Sequence, residues 1–255
     1  MIRQVRYQAV LFDLDDTLIP EEPAIRAGFA AVAHRVWGSS SPDRVQSLWD
    51  AASQVLLERA PVPAYLAAVH IGASDLLHGE PLQGAGRQSD RLRAFLPYYL
   101  GHAFDPVLPE FARPLTRQMV DLWRETRMNA LSVYPETVRV LEWLNGRVPL
   151  ALVTNGLSKL QRDKLERTGL SGYFASVLVS EEVGVGKPDP AVFHETMRRL
   201  DLKPSHTVMI GNDRERDVMG AHSAGIAAIQ ITRQDGARSC DSIADLCELG
   251  SRLGM

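Results

Sequence analysis

The chain has 255 residues, of which 45% are hydrophobic and 23% are charged, and its formal net charge is −3 at neutral pH. This composition is typical of a globular protein, and the weak, scattered charge excludes a broad electrostatic surface for nucleic acid or an anionic membrane. It has two cysteines, Cys240 and Cys247, and its apolar runs are too short for a secretion signal or a membrane helix, so we expect a cytoplasmic protein without membrane partners.

The first predicted element is a buried strand over residues 8–14 that ends in two carboxylates, Asp13 and Asp15. In an open α/β sheet, side chains at the carboxyl end of a strand face the crevice where ligands bind. Two carboxylates there can hold a hard cation such as Mg²⁺, or act as nucleophile and proton donor. An Asp-rich turn is the simpler interpretation. A calcium-binding EF-hand loop is excluded, because its Gly and Glu positions hold Leu18 and Ala24.

The next segment, from about residue 22 to residue 128, is predicted to be helical almost throughout. Apolar residues recur at helical spacing over residues 29–37 and 45–56, and prolines punctuate the segment. The pattern predicts a bundle of about four to six short helices inserted into another domain.

After Pro135, predicted strands alternate with predicted helices. Asp189 followed by Pro190 is typical of a helix start, with an N-cap and a proline at the first helical position. This alternation predicts an α/β fold with a Rossmann-like, mostly parallel sheet. We place the α/β core in residues 1–19 plus 129–255 and the all-helical insert in residues 20–128. The predicted strands cover residues 148–153, 177–179, 207–210 and 226–231, and a helix is predicted over 214–224.

Two of these strand ends are followed by residues that could bind an anion. Thr154, Asn155 and Gly156 precede a helix, where a hydroxyl and free backbone N–H groups form an anion site, although a simple turn and cap is the alternative. Lys187 lies in a glycine-flanked loop before a capped helix. Its ammonium could neutralise a phosphate or the carboxylates, although an isolated loop lysine is more often only solvated.

The fourth strand end is followed by Asn212, Asp213 and Asp217. Asp213 and Asp217 are four residues apart and would share a face if a helix starts there. Alone, they indicate only a helix N-terminal carboxylate and an exposed charge. Each of these motifs is a weak signal by itself, but together, in order and at successive strand ends, they form a strong one.

In this order the motifs resemble those of the haloacid dehalogenase-like hydrolases, whose members are mostly phosphatases. The resemblance rests on residues 12–18, 153–156, 187–190 and 211–217, and it covers the first strand and residues ~134–231. It implies that Asp13 attacks phosphorus to form an aspartyl-phosphate and that Asp15 is the general acid and base. It also implies that Thr154 and the amides after it, Asn155 and Gly156, hold the phosphoryl oxygens, and that Lys187 offsets negative charge.

The resemblance further implies an Mg²⁺ cofactor bound by Asp13, by the backbone carbonyl of Asp15 and by an acid of the fourth motif. The family usually has Gly-Asp there, whereas Gly211 is followed by Asn212 in this chain. We expect Asp213 to be the metal ligand because a carboxylate binds Mg²⁺ better than an amide. Asn212 and Asp217 are then supporting residues.

The insert over residues 20–128 would be a mobile cap that closes over a small phosphorylated metabolite. The sequence thus predicts an Mg²⁺-dependent phosphatase for a small phosphomonoester, with a nucleotide or sugar phosphate as the expected substrate. The alternatives are a haloacid dehalogenase, a phosphomutase, a phospho-accepting receiver and a catalytically silent binding protein. Asp15 argues against a dehalogenase, because that chemistry has no alkoxide leaving group to protonate. The sequence makes no prediction of oligomeric state.

Overall fold

The computed structural model of the chain describes residues 7–233 and 242–254, so Cys240 lies outside the described residues. The chain divides into two compact units. The α/β unit comprises the chain up to Pro20, Ser132–Thr154 and the chain from Thr168 onward, and the helical unit comprises Glu21–Leu131 and Asn155–Arg167. The sequence placed residues 155–167 in the α/β core, whereas the structure groups them with the helical unit. The expected independence of residues 20–128 as a domain stays a prediction.

In the described residues, six strands form one sheet with the order β3-β2-β1-β4-β5-β6, and every neighbouring pair is parallel. The predicted α/β fold with a mostly parallel sheet is therefore confirmed, and the last strand is an addition to it. The strands are β1 (Ala9–Phe12), β2 (Leu150–Thr154), β3 (Ser176–Val179), β4 (Thr207–Gly211), β5 (Ala227–Ile231) and β6 (Ser242–Ile243).

The helices of the described residues complete the two units. They are α1 (Glu21–Trp37), α2 (Pro42–Arg59), α3 (Pro63–Val69), α4 (Ala73–His78), α5 (Arg87–His102), α6 (Thr116–Asn129), α7 (Thr137–Leu144), α8 (Ser158–Arg167), α9 (Ser180–Val183), α10 (Pro190–Leu200), α11 (Gly220–Ser223) and α12 (Leu249–Leu253). Over residues 7–233 and 242–254, no helix has both the length and the apolar content needed to cross a membrane.

Strand β1 occupies the centre of the sheet because all of its side chains are apolar. Its four residues are completely buried, as expected for a parallel strand that is covered on both faces. Phe12 lies opposite Leu152 of β2 on one side and Ile210 of β4 on the other. The chain runs from β1 to β2 and β3 on one side and then crosses to β4 on the other side of β1, and this reversal of strand order creates a crevice at the carboxyl end of β1.

Two helices in the α/β unit begin near the carboxyl edge of the sheet, and the local sequence determines where each of them starts. Helix α10 begins as predicted, with the Asp189 carboxylate accepting a hydrogen bond of 2.9 Å from the Ala191 N–H. The helix predicted over 214–224 is present over 214–223, but its first part is not an α-helix. Residues Arg214–Met219 form a π-helical turn, in which the Asp213 carbonyl accepts from the N–H groups of both Asp217 and Val218, and α11 follows it.

The helical unit packs around apolar stripes whose spacing the sequence predicts. Phe29 of α1 stacks on Trp49 of α2 with ring centroids 5.7 Å apart, and both belong to the packing of one hydrophobic cluster. A Cβ on Gly28 would lie 2.7 Å from the Trp123 ring of α6, so the glycine permits close contact between α1 and α6. Helices α1 and α2 span 17 and 18 residues, so the expectation of short helices is wrong for these two.

Candidate active site

The carboxyl end of β1 carries Asp13, which is buried together with a lysine from a distant loop. Lys187 places its Nζ atom 2.6 Å from Asp13 Oδ1 and also 2.6 Å from Asp217 Oδ1. Both carboxylates and the ammonium are almost fully buried, with Lys187 only 2% exposed. A single cation thus joins residues that follow β1, β3 and β4, and the three form a charged centre at the edge where ligands bind in such sheets.

Burial and mutual attraction set the protonation of this centre. Burial raises the pKa of Asp217 from 3.8 to about 6, and the nearby Asp13 charge adds to this while Lys187 opposes it. Burial works against the charged form of Lys187, but Asp13 and Asp217 outweigh it and the pKa of Lys187 is raised. The lysine therefore stays cationic at neutral pH, where the two carboxylates leave one excess negative charge.

The other oxygen of Asp13 faces Thr17 and Asn212. The Thr17 hydroxyl lies 3.0 Å from Asp13 Oδ2 and 3.2 Å from Asn212 Oδ1, and it accepts a 3.1 Å hydrogen bond from the Asn212 N–H. The Gln230 side chain in turn donates to the Asn212 carbonyl at 3.0 Å. Sequence reasoning assigned no role to Thr17, although a hydroxyl four residues after the presumed nucleophile, inside the first motif, was an available signal.

Asp213 is held in a different arrangement. Its carboxylate accepts from the Arg216 N–H at 2.7 Å and from the Arg216 Nε at 2.7 Å. Burial works against ionisation of Asp213, but these hydrogen bonds and the Arg216 charge outweigh it and the pKa is lowered. The preference for Asp213 over Asn212 as a metal ligand stays a prediction, and this geometry favours Asn212 instead, because its amide oxygen shares the Thr17 hydroxyl with Asp13.

Gly211 allows Asp217 to reach the centre. A Cβ at position 211 would lie 2.3 Å from the Asp217 carboxyl carbon, a distance that no packed structure tolerates. The second oxygen of Asp217 accepts a 2.9 Å hydrogen bond from the Asp213 N–H. The sequence ranked Asp217 only as a supporting residue, whereas the structure makes it the second carboxylate on Lys187.

The remaining predicted residues lie at the ends of β1 and β2. Thr154 is the last residue of β2 and is buried, beside the turn that follows β1. Asp15 is half-buried and pairs with Ile19 across that turn. Asn155 and Gly156 belong to the helical unit.

The turn formed by Asn155 and Gly156 is fixed by helix α8. The Asn155 carbonyl accepts a 2.8 Å hydrogen bond from the Gln161 side chain. Gly156 has φ +128°, and a Cβ there would lie 2.7 Å from Gln161 Nε2. The structure therefore explains why this position carries glycine.

The carboxylate and amide oxygens at Asp13 and Asn212 are suited to a hard cation rather than to a transition metal. In the ranges 7–233 and 242–254, no group of three or more His, Cys, Asp or Glu side chains is arranged to hold a metal. Asp13 Oδ2 and Asn212 Oδ1, however, both lie within 3.2 Å of one hydroxyl. One carboxylate with further neutral oxygens suits Mg²⁺, which keeps several waters and binds substrate phosphate.

Known proteins resemble this chain in sequence and in fold. A family model described as haloacid dehalogenase-like hydrolase matches residues 7–225. The phosphoserine phosphatase of Thermus thermophilus is 32% identical over 88% of this chain and 88% of its own length. The ribulose-1,5-bisphosphate 5-phosphatase of Halopiger xanaduensis is 31% identical over 92% of this chain and 90% of its own. The crystal structure of a 2-haloacid dehalogenase from Pseudomonas syringae pv. Tomato matches with a TM-score of 0.65 and 28% identity, over 97% of this chain and 98% of that one.

Proposed function

Because the chain belongs to the haloacid dehalogenase-like hydrolases, we propose that it hydrolyses a small phosphomonoester with Asp13 as the nucleophile. The observation that carries this proposal is the buried Lys187 ammonium 2.6 Å from Asp13. A phosphate and a carboxylate repel each other, so a fixed cation between them lowers the cost of their approach. Asp15, at the same strand end, supplies the proton-transfer group.

The reaction takes two steps. Asp13 attacks phosphorus while the bond to the ester oxygen breaks, and Asp15 gives its proton to that oxygen, so an alcohol leaves and an aspartyl-phosphate remains. Asp15 then takes a proton from water as the water oxygen bonds to phosphorus and the bond to Asp13 breaks, which releases inorganic phosphate. Lys187 stays charged throughout, and Thr154 with the Asn155 and Gly156 amides holds the phosphoryl oxygens.

The cofactor that we propose is Mg²⁺. Its ligands would be the Asp13 carboxylate, the Asp15 backbone carbonyl and the Asn212 amide oxygen, with Asp213 as the alternative ligand and Asp217 acting through Lys187. When bound, the cation offsets negative charge on the phosphoryl group. The excess negative charge of the Asp13, Asp217 and Lys187 centre supports this assignment.

The substrate class that we propose is a small phosphorylated metabolite. The relatives named above act, by their names, on phosphoserine and on a sugar bisphosphate, and the sequence favoured a nucleotide or sugar phosphate. The helical segment over residues 20–128 is the proposed substrate-selecting cap. A panel of phosphoserine, sugar phosphates and nucleoside monophosphates, assayed by phosphate release, tests both ideas.

The nucleophile is tested with Asp13→Asn and a generic aryl phosphate, with and without Mg²⁺. We expect activity to fall by at least ~10³-fold, because an amide cannot form the acyl phosphate. Asp201→Asn is the matched control: Asp201 is exposed with φ +52°, a conformation that asparagine also tolerates, so activity should not change. An Asp13→Asn protein that folds normally by circular dichroism and retains activity within ~10-fold of wild type would rule out the covalent mechanism.

Dehalogenation is the second candidate function, because one of the matched solved structures is a 2-haloacid dehalogenase. A halide ion leaves without being protonated, so dehalogenation would not need Asp15 as a general acid. Halide release from 2-chloropropionate, measured beside phosphate release on the same preparation, separates the two. We expect only phosphate release.

A further inference from the structure

Arg233, two residues beyond β5, is a cation that the sequence reasoning did not select. Its guanidinium is nearly buried and lies over the Tyr134 ring, 3.7 Å from the ring centroid. One of its nitrogens donates to the buried Glu136 carboxylate and the other donates to the Thr17 carbonyl. All four residues belong to the α/β unit. The sequence did contain a signal for Arg233, because it is a polar residue at or just beyond the carboxyl end of a predicted strand, as Asp13 and Thr154 are.

The turn after Asp13 is anchored from outside at two successive carbonyls. Arg233 binds the carbonyl of Thr17, while the Tyr134 N–H at 3.1 Å and the Thr137 hydroxyl at 3.0 Å bind that of Leu18. Inside the turn, the Leu18 N–H donates to the Leu14 carbonyl at 2.9 Å. The peptide plane between Thr17 and Leu18, which adjoins the Cα atom of Thr17, is therefore restrained on both sides.

We propose that Arg233 is a positioning residue that fixes the Thr17 hydroxyl against Asp13 Oδ2. The hydroxyl and the bound carbonyl belong to one residue, and Thr is stiff at χ1, so holding the carbonyl holds the hydroxyl. Tyr134 and Glu136 lock the planar guanidinium by a cation–π contact and an ion pair, which a flexible lysine cannot reproduce. This inference rests on the proposed function in so far as it concerns the orientation of the nucleophile.

The expected effect on catalysis is in kcat rather than in KM. Arg233 contacts Tyr134, Glu136 and Thr17, and it contacts neither Lys187 nor Thr154, which are proposed to meet the phosphate. A misplacement of about 1 Å at a reacting group can cost roughly 10²-fold in rate. Arg233→Lys, which retains a positive charge for Glu136, should therefore lower kcat by about 10–10²-fold with KM nearly unchanged.

The kinetic test is a double-mutant cycle in the full chain with an aryl phosphate and Mg²⁺. Because Arg233 acts through the Thr17 hydroxyl, Arg233→Lys should cost almost nothing further in a Thr17→Val background. Arg147→Lys is the matched control, because Arg147 also lies over an aromatic ring, at 5.1 Å from Trp143, and donates to a backbone carbonyl. It should leave kcat unchanged. Losses that multiply in the double variant, or a rise in KM alone, would overturn the proposal.

A second readout does not depend on activity. The Asn212 N–H donates to the Thr17 hydroxyl, so its hydrogen exchange, measured by NMR, reports where that hydroxyl lies. Arg233→Lys should accelerate exchange at Asn212 but not at Asp13, whose N–H bonds to the Ile210 carbonyl at 2.9 Å. Unchanged exchange at Asn212 would refute the positioning role even in an active enzyme. A wild-type protein without phosphatase activity but with this exchange pattern would refute only the proposed function.

Discussion

Replacing Asp217 by Asn should change how the stability of the protein depends on pH. Asp217 is 1% exposed, and burial raises its pKa from 3.8 to about 6. The folded state therefore binds a proton more tightly than the unfolded state does. The stability contributed by this proton is fully present below pH 3.8 and is lost as the pH rises through about 6.

The size of the effect follows from the two pKa values. Each pH unit between 3.8 and about 6 corresponds to roughly 1.4 kcal/mol, so the whole interval gives about 3 kcal/mol. The free energy of unfolding of the wild type, relative to that of Asp217→Asn, should thus fall by about 3 kcal/mol over this interval and stay constant above it. The asparagine keeps the shape of the side chain and an oxygen for Lys187, so packing changes little.

Urea denaturation from roughly pH 3 to pH 8, in the presence of a chelator, measures this difference. Asp213→Asn is the control with the opposite sign, because the pKa of Asp213 is lowered by its hydrogen bonds to Arg216 despite partial burial. For that variant, the relative stability of the wild type should stay constant down to about pH 4 and fall as the pH drops below 3.8 towards the lowered pKa of Asp213. A stability difference for Asp217→Asn that is flat, or that rises with pH, would show that burial does not hold the proton on Asp217.

The remaining predictions concern catalysis and packing at the same site. Asp15→Asn should slow alkyl phosphates by about 10²–10⁴-fold but slow an aryl phosphate less, and equal losses would argue against a general acid at this position. Asn212→Ala should raise the Mg²⁺ concentration for half-maximal activity more than Asp213→Ala does; the reverse order would restore Asp213 as the ligand. Gly211→Ala should reduce activity strongly and lower the stability by about 1–3 kcal/mol, because its Cβ would overlap the carboxylate of Asp217. Gly172 has open space around it, so Gly172→Ala should change neither quantity. Thermal denaturation measures the stability of both variants, and phosphate release measures their activity.

The sheet was predictable because its signals are local. The short apolar run Ala9–Phe12 is typical of a strand buried on both faces, and Asp189 with Pro190 marks the start of α10 without help from the rest of the chain. The π-helical turn after Asp213 had no such signal. Within this turn Asp217 contacts Lys187 across 30 residues, and no window of helical periodicity contains that contact.

The candidate site was predictable to the extent that its residues end strands. Asp13 and Lys187 follow separate strands, and parallel strands bring their carboxyl ends to one edge. The partners that complete the site are set by tertiary contacts instead. Thr17 meets Asn212 across 195 positions and Arg233 across 216, so neither contact leaves a pattern in the neighbouring residues. The choice between Asn212 and Asp213 depended on the direction of two side chains, which spacing does not specify.

The central place of β1 also has a consequence for synthesis on the ribosome. During synthesis, strand β1 leaves the ribosome well before its two neighbours, which begin only at Leu150 and Thr207. Until both neighbours have been made, the apolar strand β1 lacks its backbone hydrogen-bond partners, and unpaired apolar strands promote aggregation of nascent chains. Pairings over such sequence separations are also slow to form. No fragment that ends before β4 can bring Asp13 together with Asp217, so the proposed activity can arise only after β4 has been made.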